Sequence, residues 1–108
     1  MNTILILTTT PTLKLAKLIS RRLVKDKLAA CCTISGPVTS IFSWEKKMQS
    51  AGERMIFIKT KKNLYAQVES AIKELHCYSV PEIIALNLSA GSKNYIEWIS
   101  DSVLSIKK

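Results

Sequence analysis

Ile4-Leu5-Ile6-Leu7-Thr8-Thr9-Thr10-Pro11 decides the fold. The run from Ile4 to Thr9 is apolar and β-branched and predicts a buried strand. Thr10-Pro11 follows it as a helix cap and a proline at the first helical position. Leu15, Ala16, Ile19, Leu23 and Val24 then recur at helical spacing and are expected to face inward. Lys14, Lys17, Arg21 and Lys25 fall on another side, so this helix is expected to carry one strongly basic face.

The same order returns further on. Residues 29–44 read as a long second strand, bent or bulged at Gly36-Pro37, and Lys46 to Gly52 as a polar hairpin connection. Met55-Ile56-Phe57-Ile58 starts the next unit, closing at Lys59-Thr60. Asn63 is the expected cap of a second helix with Leu64, Val68, Ile72 and Leu75 buried, Glu69 and Lys73 paired outside, and an end near His76. A fourth strand runs from Ile83 to Leu88, entered through Pro81. After Gly91-Ser92 a last helix turns Tyr95, Ile99, Val103 and Ile106 inward.

Two strand–helix–strand units joined by a hairpin make the split β-α-β-β-α-β arrangement, a ferredoxin-like α+β sandwich with an added C-terminal helix, read as a single domain over residues 1–108. Right-handed crossovers put both helices on one face of an antiparallel sheet and leave the other face bare. That face carries large apolar residues, which a soluble monomer rarely displays in one patch, so self-association through the sheet is expected.

The chain has 108 residues, 47% of them hydrophobic, which suits a globular domain. No run reaches the roughly 20 apolar residues of a membrane span, and Met1-Asn2-Thr3 lacks a signal-peptide pattern, so the expected compartment is the cytoplasm. Cys31, Cys32 and Cys77 form no Cys-x-x-Cys pair, which speaks against a disulfide framework, and strand alternation lets only one of Cys31 and Cys32 face the core. The net charge of +8 raises a nucleic-acid module as a rival. RNA-binding sheets stack bases on exposed aromatics, however, and the central strands here offer only Phe57. One histidine, no phosphate loop and no framed nucleophile give no basis for an enzyme.

Several segments are similar, in order, to those of one known family. Lys27-Leu28-Ala29-Ala30-Cys31 is similar to the start of its long strand, and Thr39-Ser40-Ile41-Phe42-Ser43-Trp44-Glu45-Lys46-Lys47 to its Thr-Ser-Ile-aromatic-x-Trp-Glu-Gly-Lys stretch. Ile58-Lys59-Thr60, residues 75–83 around Tyr78-Ser79-Val80-Pro81-Glu82, and Tyr95-Ile96-Glu97-Trp98 continue the match in order. The chain thus resembles the CutA family of divalent-cation tolerance proteins, and the resemblance implies a ferredoxin-like subunit in a tight homotrimer, associated with tolerance of divalent metals, copper especially.

It also locates departures. The family's proposed copper ligands are a cysteine near the end of the first strand and a His-His pair; here those positions read Thr8 and Leu75-His76. Weak or altered binding of copper or another divalent cation is therefore the expectation. His76, Cys77 and Glu82 are the candidate ligands, with any others supplied at a subunit boundary. Glu53 is the one residue of the hairpin expected to attract a cation. Trp44, Glu45, Lys59 and Tyr78 are candidates for an inter-subunit cleft, which with Glu82 would suit a small polar ligand of a regulatory module.

Overall fold

The computed structural model describes residues 1–105. Strand β1 (Thr3–Thr10) leads to α1 (Leu13–Lys25), β2 (Cys31–Ile34) and β3 (Val38–Trp44). Strand β4 (Lys47–Lys61), a single 3-10 turn (Lys62–Leu64), α2 (Tyr65–Leu75), β5 (Ile83–Asn87) and α3 (Lys93–Ser102) complete the order. The strands form an antiparallel sheet in the order β2-β4-β1-β5, with β3 continuing along the free stretch of β4. This is the α+β ferredoxin-like arrangement expected from the sequence.

Residue parity along the strands assigns the two faces. Ile4, Ile6, Ile56 and Ile58 are buried beneath Ala16, Ile19 and Leu23 of α1 and Val68, Ala71 and Ile72 of α2. Cys32 and Ile34 pack against the same cluster. Cys31 belongs to the other face, as alternation requires. That face presents Leu5, Leu7 and Phe57 half-buried, with Ile84 and Leu86 about half exposed on the edge strand. Helix α3 adds a small second cluster in which Ile99 and Val103 pack with Ala30 and Leu64.

Helix α1 begins two residues later than expected. Thr12 is its N-cap, its hydroxyl accepting from the Leu15 N–H at 3.1 Å, whereas the Thr10 hydroxyl donates to the Thr12 carbonyl at 2.9 Å. Pro11 thus precedes the cap. At the other end Leu28 N–H bonds to Leu23 O and Lys27 N–H to Val24 O, a Schellman closure with Lys27 in the left-handed region at φ 58°. Val24, expected inside, is exposed because it lies past the edge of the buried stripe. Asn63 does not cap α2; it sits inside the 3-10 turn, and Leu64 occupies the cap position without a side-chain bond. The Glu69–Lys73 pair forms at 3.3 Å. In α3 Tyr95 is exposed and stacks on Trp98 with centroids 5.6 Å apart, while Ile96 takes the inward position; Ile106 lies outside the described residues.

The hairpin departs most from expectation. Residues 47–52 are strand, not connection, and the turn is only Glu45-Lys46, at φ 53° and 65°. A type I′ hairpin turn needs positive φ at both central residues, places that glycine and asparagine usually take. The bend before it is a bulge: Ser35, Gly36 and Pro37 stand opposite Arg54 and Met55. The Ser35 hydroxyl secures it, accepting from the Met55 N–H at 2.8 Å and donating to the Gly36 carbonyl at 2.7 Å. Beyond Arg54, where β1 ends, β3 and β4 continue alone as a two-stranded arm.

Thr8 is fully buried on the helix-covered face and its hydroxyl has no hydrogen-bond partner. Thr8→Val keeps the shape and removes the orphaned hydroxyl, so it should raise stability by about 1 kcal/mol. Chemical denaturation would check this; a destabilised Thr8→Val would show that the hydroxyl is satisfied after all.

Candidate functional site

At the root of the arm a cleft of about 970 Å³ opens between the β3–β4 hairpin and the segment linking α2 to β5. The hairpin supplies Phe42, Trp44, Gln49 and Glu53, and the linking segment supplies Cys77, Tyr78 and Glu82. The cross-strand pairs Trp44–Lys47, Phe42–Gln49 and Val38–Glu53 set one side of the arm toward this space.

One histidine organises the linking segment. His76 ends α2 with extended backbone, its N–H still bonded to Ile72 O at 2.8 Å. Its Nε2 lies 2.7 Å from the Thr9 carbonyl and its Nδ1 accepts from the Tyr78 N–H at 3.1 Å. A carbonyl only accepts, so these partners assign the neutral Nε2–H tautomer. The ring thereby ties the linking segment to the end of β1 and brings the Tyr78 ring to 4.7 Å from its own. With both nitrogens engaged, His76 has no lone pair left for a metal.

Tyr78 in turn donates its hydroxyl to Glu53 Oε2 at 2.9 Å. Glu53 is only 8% exposed, and no Lys or Arg pairs with it among the described residues. Burial first, and then the bond to Glu53, push the Tyr78 phenol up to about 12. A raised phenol keeps its neutral form favoured in the folded state. Its contribution to stability is whole below pH 10 and is lost as pH climbs through 12. A spectrophotometric titration of tyrosine absorbance should show a late phase near pH 12 that Tyr78→Phe removes. A late phase that persists in Tyr78→Phe would assign it elsewhere.

The residues singled out from the sequence divide. Trp44, Tyr78, Glu82 and Cys77 line the cleft. Glu45 lies in the turn at the arm's tip, and Lys59 stands on the bare sheet face with its Nζ 3.3 Å from Thr33 Oγ1 and 3.9 Å from Cys31 Sγ. Phe42, Gln49 and Ser40 join the cleft without having been singled out; only strand register, which the sequence does not print, selects them. Glu53, the hairpin residue expected to attract a cation, also lines the cleft. Among the described residues no three His, Cys, Asp or Glu side chains cluster to hold a metal ion, so one chain does not fit a resident metal. Thr8, at the family's cysteine position, faces the helices.

A ferredoxin-like subunit with a protruding two-stranded arm and an aromatic–acidic cleft at its root is the class that fold and site define. Residues 4–102 match the model of the CutA1 divalent ion tolerance protein family, and the chain belongs to that family. The divalent-cation tolerance protein CutA of Archaeoglobus fulgidus is 38% identical over 95 residues, spanning 88% of this chain and 92% of the relative. The chloroplastic protein CutA of Arabidopsis thaliana is 36% identical over 99 residues, 92% of this chain but 54% of that longer protein. The crystal structure of CutA1 from the psychrotrophic bacterium Shewanella sp. SIB1 superposes with a TM-score of 0.94 at 36% identity, covering 96% of this chain and 97% of that one.

Proposed function

We propose that this chain acts as a cytoplasmic homotrimer in the tolerance of divalent metal ions, binding copper or similar cations weakly and catalysing no reaction. The bare sheet face carries the reading. Leu5, Leu7, Phe57, Ile84 and Leu86 form one continuous apolar surface on neighbouring strands, and copies of the same chain are the economical cover for it. The part concerning metals is supported by the names of the relatives. The weakness of binding follows from His76, whose Nδ1 lone pair is already taken by the Tyr78 N–H and would have to give up that hydrogen bond to coordinate an ion. The same hydrogen bond occupies the lone pair that the one imidazole would need to act as a general base. Unpaired Cys31, Cys32 and Cys77 suit a reducing compartment. The strongly basic face of α1 lies opposite the bare sheet, which holds a single aromatic, so a nucleic-acid role finds little support.

Light scattering tests the assembly: three times the 12.1 kDa of one chain is expected, and a 12.1 kDa particle at micromolar concentration overturns it. Calorimetric titration with Cu2+ tests the metal reading, with equal, weak heats expected for wild type and His76→Ala. A tight site lost in His76→Ala would overturn that half. The cleft favours a second reading beside it, a small polar ligand held against Trp44 and Tyr78 at a subunit boundary.

A further inference from the structure

The geometry points to an organic cation, an amine or alkylammonium group, as the ligand of the cleft at the root of the arm. This rests on the small-ligand reading and narrows it to one chemical class.

Three observations converge. The first is the sign of the charge. The chain has 16 Lys and Arg against 8 Asp and Glu, yet the cleft is lined by two carboxylates, Glu53 and Glu82, and by no cationic residue. The second is the placement of Glu53, a residue only 8% exposed. Its partner is a neutral phenol, and among the described residues no Lys or Arg forms an ion pair with it. A buried carboxylate without a counter-ion is costly, and a bound cation relieves that cost. The third is the wall. Phe42, Trp44 and Tyr78 line the same space, and aromatic faces attract cations through their quadrupole, with tryptophan the strongest.

A metal ion suits this arrangement less well. Inner-sphere coordination needs several converging donors, and no cluster of three exists among the described residues. An alkylammonium asks for less: one hydrogen-bonding or ionic partner and apolar, polarisable surfaces around its carbons. Glu53 supplies the first, its approach fixed by Tyr78, while Trp44 and Phe42 supply the second. Glu82 stands exposed in the lining, where it steers rather than holds.

Trp44 gives the experiment its reporter. The chain has two tryptophans, so Trp98→Phe leaves Trp44 alone to report on the cleft. Tetramethylammonium chloride, n-butylamine hydrochloride, tert-butanol and ZnCl2 would be titrated at constant ionic strength while Trp44 emission is followed. Saturable changes are expected for the two ammonium probes, with tert-butanol, the neutral shape mimic, at least tenfold weaker. Glu53→Gln in the same background should weaken ammonium binding tenfold or more, and Glu82→Gln about threefold. Should Glu53→Gln fail to fold by circular dichroism, the contrast between tetramethylammonium and tert-butanol together with Glu82→Gln decides. Equal saturation by tert-butanol and tetramethylammonium would keep the cleft and sink the cation. Saturation by Zn2+ alone would replace the organic cation with a metal. No saturable response to any probe would sink the small-ligand reading itself.

Discussion

Phe57→Glu is expected to leave a particle with the mass of a single chain, 12.1 kDa, in place of the trimer proposed for the wild-type protein. Phe57 sits on the bare sheet face, between Leu7 of β1 and Thr33 of β2 in register, and is half-buried even in the isolated chain. Burying a phenyl ring against a neighbouring copy contributes on the order of 2 kcal/mol per subunit. A carboxylate there must instead be desolvated without a partner, a penalty of several kcal/mol per ion that a symmetric assembly meets in every copy. The subunit fold itself should survive, because Phe57 faces away from the core packed under α1 and α2. Light scattering reads the mass and circular dichroism the fold. Lys17→Glu, on the opposite, solvent-facing side of α1, is the control that should leave the mass unchanged. A folded Phe57→Glu protein of undiminished mass would mean that the copies meet elsewhere.

The largest loss of subunit stability is expected from Ile6→Ala. Ile6 is fully buried at the centre of β1, flanked by Ile58 on one side and Ala85 on the other, and it belongs to the cluster with Ile19, Leu23 and Ile72. Removing three methyl or methylene groups where a sheet and two helices cannot collapse inward should cost roughly 3–5 kcal/mol, the upper part of the range for such truncations. Urea denaturation in the Phe57→Glu background isolates this effect from assembly, whose contribution depends on concentration. A change below about 1 kcal/mol would show that the site relaxes freely, which close packing opposes.

Where the sequence was legible, one physical signal dominated. Ile4 to Leu7 and Met55 to Ile58 are short, β-branched and apolar, and they became the paired central strands. The spacing of Ala16, Ile19 and Leu23 placed the buried side of α1. Where it misled, competing residues of equal chemical merit stood side by side. Thr10 and Thr12 are both good caps, and only the reach of one hydroxyl to the Leu15 N–H separates them. The outer half of the returning strand was hidden because Lys47 to Gly52 are nearly all exposed, which erases the alternation that marks a half-buried strand. Its turn was hidden because Glu45 and Lys46 occupy a conformation usually given to glycine or asparagine.

The site followed the same division. Trp44, Tyr78 and Glu82 were found through segments that resemble the family. Lys59 stands six residues beyond Glu53 along one strand, roughly 20 Å away, so within one chain it does not meet the cleft. Glu53 was legible as the hairpin's cation-attracting residue, but its burial against Tyr78 depends on strand register and was not.

Strand β4 runs unbroken from the hairpin turn into the middle of the sheet, 15 residues in one piece. Every position on it is consequently phased to every other. Inserting or deleting one residue near Arg54 would rotate half of the strand by a side-chain step, throwing Glu53 out of its meeting with Tyr78 or Ile56 and Ile58 out of the core. Length variation in this protein should therefore be tolerated at the Glu45-Lys46 tip and in the 88–92 connection, and purged from Gln49 through Thr60.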